Sequence, residues 1–337
     1  MASKALRDYY AILDGERKAR YLVTKHTRVS ANLSADTDGL WATHQSALRG
    51  NSESASEVTL LDLKQTLAHI MLANCELCER RCKADRESGA VGHCGVTSAH
   101  IASEFLHMGE EPDLVPSYTV FFSGCTFNCV FCQNWDISTR PGSGQKIEPY
   151  VLARMIEEKG SGRETLPPFM RARNVNWVGG DPTSNLPFIL DVLALCNSNL
   201  PQVWNSNMYL TEESMRLLDG VVDVYLTDFK YGNDDCALKL SNAHNYTSIV
   251  TRNHTLARRQ AEVIVRHLVL PNHHECCTRP VLHWIAANLR DVKVNVMPQY
   301  HPEHRSREFP DLARPLRMSE FKAAIELAEE LGLELTD

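Results

Sequence analysis

The stretch Phe121-Phe-Ser-Gly-Cys-Thr-Phe-Asn-Cys-Val-Phe-Cys-Gln-Asn-Trp135 decides the fold. It places Cys125, Cys129 and Cys132 in a Cys-x3-Cys-x2-Cys run on a loop that leaves an apolar strand. Three thiolates at this spacing can bind three irons of a [4Fe-4S] cluster and leave the fourth iron without a protein ligand. Because a cluster that only transfers electrons takes four cysteines, the run predicts that another molecule binds the open iron. Zinc is the alternative, but zinc prefers four ligands in a closed site.

A second cysteine cluster lies upstream, with the pattern Cys-x2-Cys-x3-Cys-x11-Cys. Its members are Cys75, Cys78, Cys82 and Cys94. In a chain without a secretory signal, such cysteines indicate metal binding rather than disulfides. Four thiols at short spacing suit either a zinc site or a second [4Fe-4S] cluster, and the sequence leaves both open.

Four further cysteines are scattered along the chain: Cys196, Cys236, Cys276 and Cys277. We interpret them as small buried hydrophobic residues. A metal site in the segment 273–277, which also contains two histidines, is disfavoured because vicinal cysteines seldom chelate one ion.

Composition excludes several functional classes. The 337 residues are 43% hydrophobic and 23% charged, with a net charge of −7, whereas DNA and RNA binding usually requires a basic face. No apolar run reaches the length of a membrane span, and the N-terminus lacks the features of a signal peptide. We therefore expect a cytoplasmic protein that binds neither DNA nor membranes.

From about residue 116, short apolar runs alternate with helical segments. Strands are predicted at Tyr118–Phe122, Asn174–Val178, Gln202–Asn205, Val222–Leu226, Val263–Leu270 and Val292–Val296. Helices are predicted near residues 150–158, 187–196, 212–218, 234–241, 255–262 and 280–289, with a last helix at Ser319–Leu331. Apolar strands separated by helices indicate an α/β fold with a parallel sheet buried on both faces.

The chain is predicted to divide into three parts. Residues 1–57 form a polar extension that ends in a linker, Asn51–Ser56. Residues 58–100 combine a short amphipathic helix with a cysteine-rich metal knuckle, and residues 101–337 form the α/β core with its C-terminal helix.

Polar residues follow several predicted strands, at the edge where parallel α/β folds bind ligands. Gly179, Gly180 and Asp181 lie in Val178-Gly-Gly-Asp-Pro-Thr183, where Asp181 can cap the next helix and the glycines allow a ligand to approach the backbone. Asn205 and Ser206 end the third strand. Asp228 and Lys230 end the fourth and share one face of it, since strand side chains alternate; an isolated pair of this kind is usually only an ion pair.

These motifs together resemble the radical S-adenosylmethionine (SAM) superfamily, in particular the branch similar to pyruvate formate-lyase activating enzyme that has an N-terminal four-cysteine motif. The resemblance covers Cys75 to about Pro302 and includes Gly109-Glu-Glu-Pro112, Trp204-Asn-Ser-Asn-Met208 and Asp228-Phe-Lys-Tyr231. It implies an open, partial (β/α)6 barrel with a cysteine-rich metal-binding extension. The Gly-Gly-Glu-Pro of the superfamily is Gly-Gly-Asp-Pro here.

The resemblance also implies site residues. Cys125, Cys129 and Cys132 would hold the [4Fe-4S] cluster, whose open iron binds SAM. SAM would be positioned by Phe131, Gly179, Gly180, Asp181, Asn205, Ser206, Asp228, Lys230 and Arg266. Arg266 has a second interpretation, as a buried structural arginine in an ion pair. Glu110 and Glu111 are either substrate contacts or a solvated acidic turn.

The implied activity is that of an oxidoreductase that cleaves SAM reductively to a 5′-deoxyadenosyl radical and abstracts a hydrogen atom. Its partners would be a low-potential electron donor, such as flavodoxin or ferredoxin, and a glycyl-radical protein, as for the [formate-C-acetyltransferase]-activating enzyme. The alternatives are a radical SAM enzyme acting on a small molecule, peptide or RNA, and a non-catalytic iron–sulfur or zinc protein that transfers electrons or acts as a scaffold.

Overall fold

The structure, a computed structural model, describes residues 4–50, 56–160 and 167–336. Its central element is one eight-stranded sheet. The strands are β1 (Ile101–His107), β2 (Ser117–Phe122), β3 (Asn174–Gly179), β4 (Gln202–Ser206), β5 (Val224–Asp228), β6 (Glu262–Leu268), β7 (Lys293–Met297) and β8 (Glu334–Leu335). The six strands predicted from the sequence correspond to β2–β7, and none of their ends differs by more than two residues.

The strands follow one another in the sheet in chain order. Strand β1 pairs antiparallel with β2, and all later pairs are parallel. Among the described strands, β1 and β8 lie at opposite edges, so the sheet stays open. The prediction of an α/β fold with a partial barrel is confirmed. The carboxyl ends of β2–β7 all meet at one edge, where ligands bind in parallel α/β folds.

Helices connect the strands and cover the sheet. In the described residues they are α1 (Arg7–Leu13), α2 (Arg20–His26), α3 (Thr37–Leu48), α4 (Leu60–Ala73), α5 (Trp135–Ser138), α6 (Pro149–Gly160), α7 (Leu186–Leu195), α8 (Glu212–Leu218), α9 (Asp234–Ser241), α10 (Tyr246–Gln260), α11 (Arg279–Asn288) and α12 (Met318–Glu330). The helix predicted near 255–262 was wrong at both ends: α10 begins at Tyr246 and stops at Gln260, because Glu262 already belongs to β6.

The helices before residue 50 are part of the main hydrophobic core rather than a separate layer. Tyr21, Leu22 and Leu40 are buried in the same cluster as the strand residue Val120. The Glu262 carboxylate accepts hydrogen bonds from the backbone N–H groups of residues 8 and 9, at 2.7 and 2.8 Å. The segment thus contributes to the barrel although its composition is polar.

Two parts of the predicted organisation have no structural test. The linker Asn51–Ser56 lies, apart from Ser56, outside the described residues. The division of the chain at residues 57 and 100 stays a prediction. No described helix has the length and apolar character that crossing a membrane requires.

Candidate active site

The cysteine loop leaves the carboxyl end of β2 and is fastened to the glycine turn after β3. The N–H of Gly180 donates to the carbonyl of Phe122 at 2.9 Å, and the N–H of Asp181 donates to the carbonyl of Gly124 at 3.1 Å. The backbones approach so closely that a Cβ on Gly180 would lie 2.0 Å from the Gly124 oxygen. Only glycine fits there, so the two motifs are held together as one unit.

Each of the three sulfur atoms in the loop has a hydrogen-bonding neighbour. The N–H of Phe127 donates to Cys125 Sγ at 3.3 Å, and the Ser241 hydroxyl donates to Cys129 Sγ at 2.8 Å. Cys132 Sγ lies 3.4 Å from Ser138 Oγ. Donors aimed at sulfur stabilise thiolates and tune iron–sulfur clusters. The donor set therefore fits a cluster held by three cysteines.

The loop forms one wall of a cavity of about 350 Å³ at the carboxyl edge of the sheet. Ligand sites in proteins typically measure about 300–1,000 Å³. All the cluster- and SAM-binding residues predicted from the sequence line this cavity: Cys125, Cys129, Cys132, Phe131, Gly179, Gly180, Asp181, Asn205, Ser206, Asp228, Lys230 and Arg266. The structure thus brings the loop after β2 together with residues in or directly after β3, β4, β5 and β6.

Asp181 organises the cavity wall through its buried carboxylate. One oxygen caps the following 3-10 turn by accepting from the N–H of Thr183 at 2.9 Å. The other accepts from the Ser206 hydroxyl at 2.9 Å and from the N–H of Asn207 at 3.0 Å. Burial raises the pKa of Asp181, and these hydrogen bonds oppose that rise. The aspartate therefore holds the end of β4 against the glycine turn, a positioning role.

Asp228 and Lys230 form an ion pair inside the cavity rather than on the surface. Lys230 Nζ lies 2.6 Å from Asp228 Oδ2, and both side chains are less than one-quarter exposed. Burial alone would lower the pKa of Lys230, but the charges of Asp228 and Cys129 raise it above its ordinary value. The lysine remains a cation next to the sulfur ligands.

The Arg266 guanidinium is hydrogen-bonded to carboxylates of the protein itself. Its Nε and one terminal nitrogen donate to the two oxygens of Glu111 at 2.6 and 2.7 Å, and that terminal nitrogen also donates to Glu110. A contact with Asn205 Oδ1 at 3.4 Å completes the set. Arg266 thus has the buried ion-paired arrangement, although it also lines the cavity.

Glu110 and Glu111 do not form a solvated acidic turn. The Glu111 side chain is fully buried, and that of Glu110 nearly so. Burial opposes ionisation of Glu110, but the Arg266 guanidinium holds its pKa at about 2. Glu110 lines the cavity whereas Glu111 is not among its lining residues, so only Glu110 stays a candidate substrate contact.

The matching family profile covers the segment that carries this site. The profile describes the Radical SAM superfamily, and it matches residues 119–285. The match runs from β2, through the cysteine loop and the glycine turn, to α11. Residues 119–285 form a radical SAM superfamily domain.

Full-length similarity and structural likeness accompany the radical SAM match. An uncharacterized protein of Methanocaldococcus jannaschii is 43% identical over 341 residues, which cover 97% of this chain and 98% of that protein. A domain of a pyruvate-formate lyase-activating enzyme from Bacteroides vulgatus has 15% identity and a TM-score of 0.40, covering 48% of this chain and 97% of its own. Streptococcus suis SuiB bound to S-adenosylmethionine has 10% identity and a TM-score of 0.48, covering 63% and 47%.

The four-cysteine knuckle docks on the radical SAM cavity wall. Cys78 forms a β-bridge with Leu210, and Arg80 Nε donates to the carbonyl of Thr126 in the cysteine loop at 3.0 Å. Buried Arg86 donates to the carbonyls of Val96 and Ser184 at 2.7 and 2.9 Å. The knuckle is therefore packed against the core rather than tethered to it.

The sequence did not indicate several residues of the radical SAM site. Asn207 Nδ2 lies 3.9 Å from Cys125 Sγ and donates to Thr126 Oγ1 at 2.9 Å. Asn207 lies two residues beyond Asn205, so the alternation of strand side chains was a signal for it. Ser241, at the end of α9, offers no comparable signal. Contact between SAM and any of these residues stays a prediction.

Proposed function

We propose that this radical SAM enzyme abstracts a hydrogen atom from the Cα of a glycine in a partner polypeptide, and so leaves a glycyl radical on that partner. SAM-cleaving radical chemistry follows from superfamily membership. The polypeptide substrate is the proposed part. The observation that carries it is a pair of exposed apolar side chains at the end of the edge strand β1, beside the cavity.

Phe105 lies on β1, Met108 directly follows β1, and the partly exposed Phe121 lies on the neighbouring strand β2. Phe105 is 43% exposed and Met108 56% exposed. Phe105 stacks on Phe121 with 5.5 Å between ring centroids, and Phe121 lines the cavity. Apolar side chains on an edge strand suit a polypeptide, which can add main-chain hydrogen bonds there. A small substrate enclosed by the cavity would need no such surface.

Within the cavity, Cys125, Cys129 and Cys132 would bind the [4Fe-4S] cluster. When bound, that cluster supplies the electron that splits SAM into methionine and the 5′-deoxyadenosyl radical. The Lys230 ammonium would hold the SAM carboxylate, and the Asp228 carboxylate, which pairs with Lys230, would orient it. Asn205 and the backbone carbonyls of the glycine turn offer acceptors for the SAM ammonium and ribose hydroxyls.

We further propose that Cys75, Cys78, Cys82 and Cys94 bind a second cluster rather than zinc. Backbone contacts bring these cysteines near one another, since the N–H of Lys83 donates to the carbonyl of Cys75 at 3.0 Å and the N–H of His93 donates to Cys82 Sγ at 3.2 Å. However, no three of these four described sulfurs all lie within 4.8 Å of one another. Since Zn–S bonds of about 2.3 Å place sulfurs about 3.8 Å apart, the lack of such a close group among these four cysteines favours a cubane over zinc. A low-potential donor such as flavodoxin or ferredoxin would supply the electrons.

The test uses anaerobically reconstituted protein, SAM, a low-potential reductant and pyruvate formate-lyase as the probe substrate. We expect 5′-deoxyadenosine together with a glycyl doublet in the EPR spectrum. Cys129→Ala should abolish both products. Cys196→Ala changes a buried cysteine that does not line the cavity, and this variant should retain both. Absence of 5′-deoxyadenosine from wild-type protein would contradict the role given to the cluster.

A surface variant separates the polypeptide proposal from the chemistry. Met108→Glu should abolish the glycyl signal while slow, uncoupled SAM cleavage continues. Met318→Glu, at a 76% exposed position on α12, is the matched control and should behave as wild type. SAM turnover without a glycyl radical in wild-type protein would favour a small-molecule substrate.

A further inference from the structure

Three cysteines outside the radical SAM site converge. Cys236 lies on α9, and Cys276 and Cys277 lie in one π-helical turn, His274–Thr278. Among the residues that the structure describes, these three form the one group of at least three metal-ligating side chains whose ligand atoms all lie within 4.8 Å of one another. The sulfurs of Cys236 and Cys276 are 3.9 Å apart. The sequence disfavoured a metal here because vicinal cysteines seldom chelate one ion, but the π-helical turn brings both thiols to the same side.

The backbone around these thiols is fixed by direct contacts. Asn233 accepts from the N–H of Cys236 at 2.8 Å and donates to the carbonyl of Cys276 at 2.7 Å. A Cβ on Gly232 would lie 2.7 Å from that same carbonyl and 3.0 Å from Cys277 Cα. One asparagine and one close backbone approach therefore hold α9 and the π-helical turn at a set distance, independently of any bound ion.

The distance between the sulfurs fits a single metal ion rather than an iron–sulfur cluster. With Zn–S bonds of about 2.3 Å, tetrahedral geometry places two sulfurs about 3.8 Å apart, close to the observed 3.9 Å. A cubane would need wider spacing, and the three sulfurs of the radical SAM loop do not all lie within 4.8 Å of one another. Cys236 and Cys276 are partly exposed whereas Cys277 is buried. An ion can therefore reach the site from solvent, and the buried Cys277 thiol can bind its inner side.

We propose that Cys236, Cys276 and Cys277 bind one Zn²⁺ ion, with its fourth position open to water or another small ligand. The ion would join the segments that follow β5 and β6. Both segments lie at the carboxyl edge of the sheet, and α9 also carries Ser241, the hydrogen-bond donor to Cys129. Zinc would thus stabilise the helix that contacts the cluster ligand without entering the cavity.

The test measures zinc and iron in the anaerobic holoprotein after addition of Zn²⁺ and removal of the excess. Wild-type protein and Cys196→Ser should retain zinc, and X-ray absorption at the zinc edge should show three sulfur neighbours. Cys236→Ser/Cys277→Ser should lose this zinc with its iron content unchanged. Cys78→Ser should keep it, which distinguishes this site from the four-cysteine knuckle.

A milder variant covers the case in which the double variant does not fold. Because loss of an outer-shell contact costs about 10–100-fold in metal affinity, loss of the ligand in Cys236→Ala should raise the zinc Kd by at least about 100-fold. Equal zinc in all variants would overturn the proposal. So would a disulfide between Cys236 and Cys276 in protein kept free of oxygen, or zinc that disappears only with Cys78→Ser.

Discussion

The Ser241 hydroxyl lies 2.8 Å from Cys129 Sγ, although 112 positions separate the two residues in the chain. Ser241 is the last residue of α9, and its oxygen also lies 2.5 Å from the hydroxyl of buried Tyr231. If Ser241 donates to the sulfur, Tyr231 donates to Ser241. A chain of hydroxyl groups therefore ends on one of the three proposed cluster ligands.

Removing this hydroxyl should lower the reduction potential of the cluster. Hydrogen bonds to cluster sulfur favour the reduced state, because they stabilise the added negative charge. We expect Ser241→Ala to shift the potential by about −60 mV, which corresponds to about a tenfold change in a one-electron equilibrium. EPR-monitored redox titration measures the shift. Ser248→Ala, whose hydroxyl donates to the Asn245 carbonyl, is the control, and equal potentials in both variants would contradict the role of Ser241.

The Asp228–Lys230 pair should combine a structural and a functional role that double substitution can separate. Lys230→Met leaves a largely buried carboxylate without its partner, so the free energy of unfolding should fall by about 3 kcal/mol. Asp228→Asn/Lys230→Met should recover most of that loss, because no isolated charge remains. Chemical denaturation measures these changes.

SAM cleavage in the same variants should not follow stability. If Lys230 holds the SAM carboxylate, the double variant should remain inactive while its stability returns. Recovery of SAM cleavage together with stability would show that the pair acts only as an ion pair.

Much of the fold could be predicted because β2–β7 are largely buried and each contains a short apolar run. Buried parallel strands show in the sequence as short apolar runs, and the limits of those runs predicted the strand ends. Strand β1 was missed because it is an edge strand with alternating exposure, Ile101-Ala-Ser-Glu-Phe-Leu-His107. Helices α1 and α2 were missed since both are short and bury few side chains, including Tyr9 and Tyr21.

The candidate site could be assembled from the sequence because its residues follow strand ends, and parallel strands bring those ends to one edge. Contacts made by distant segments could not be predicted in this way. The pairing of Arg266 with Glu111 crosses 155 positions, and the convergence of Cys236 with Cys276 depends on a π-helical turn. Such contacts are set by tertiary packing rather than by local periodicity.

His69 should make stability depend on pH at the junction of the knuckle and the barrel. Its ring lies between the carboxylates of Glu87 and Asp191, with 3.1 Å from Nε2 to an Asp191 oxygen. The hydrogen bond to Asp191 raises the pKa of His69 from 6.5 to about 9. A raised histidine pKa stabilises the folded state fully below pH 6.5, and this contribution is lost as pH rises through 9.

Compared with wild type, His69→Gln should therefore be less stable at pH 6 and equally stable near pH 10. The difference should be about 0.5–1 kcal/mol, since the ring is 43% exposed and solvent screens the pair. Thermal or denaturant unfolding across this range measures it. Effects of other groups, such as buried Lys64, occur in both proteins and cancel. Parallel stability curves would contradict the assignment.

Gly180 should be required for cluster assembly, because its backbone touches the cysteine loop directly. A Cβ at this position would lie 2.0 Å from the Gly124 oxygen and 3.0 Å from Cys125 Cβ. Gly180→Ala should therefore displace the loop, and iron retained after anaerobic reconstitution should fall about tenfold or more, on the scale of losses from altered metal-ligand support. Gly142→Ala is the matched control, since a Cβ there would meet nothing within 4 Å, and it should retain the wild-type iron content. If Gly180→Ala bound iron as well as Gly142→Ala, the close approach of the glycine turn to the cysteine loop would not determine the geometry of the three thiolates.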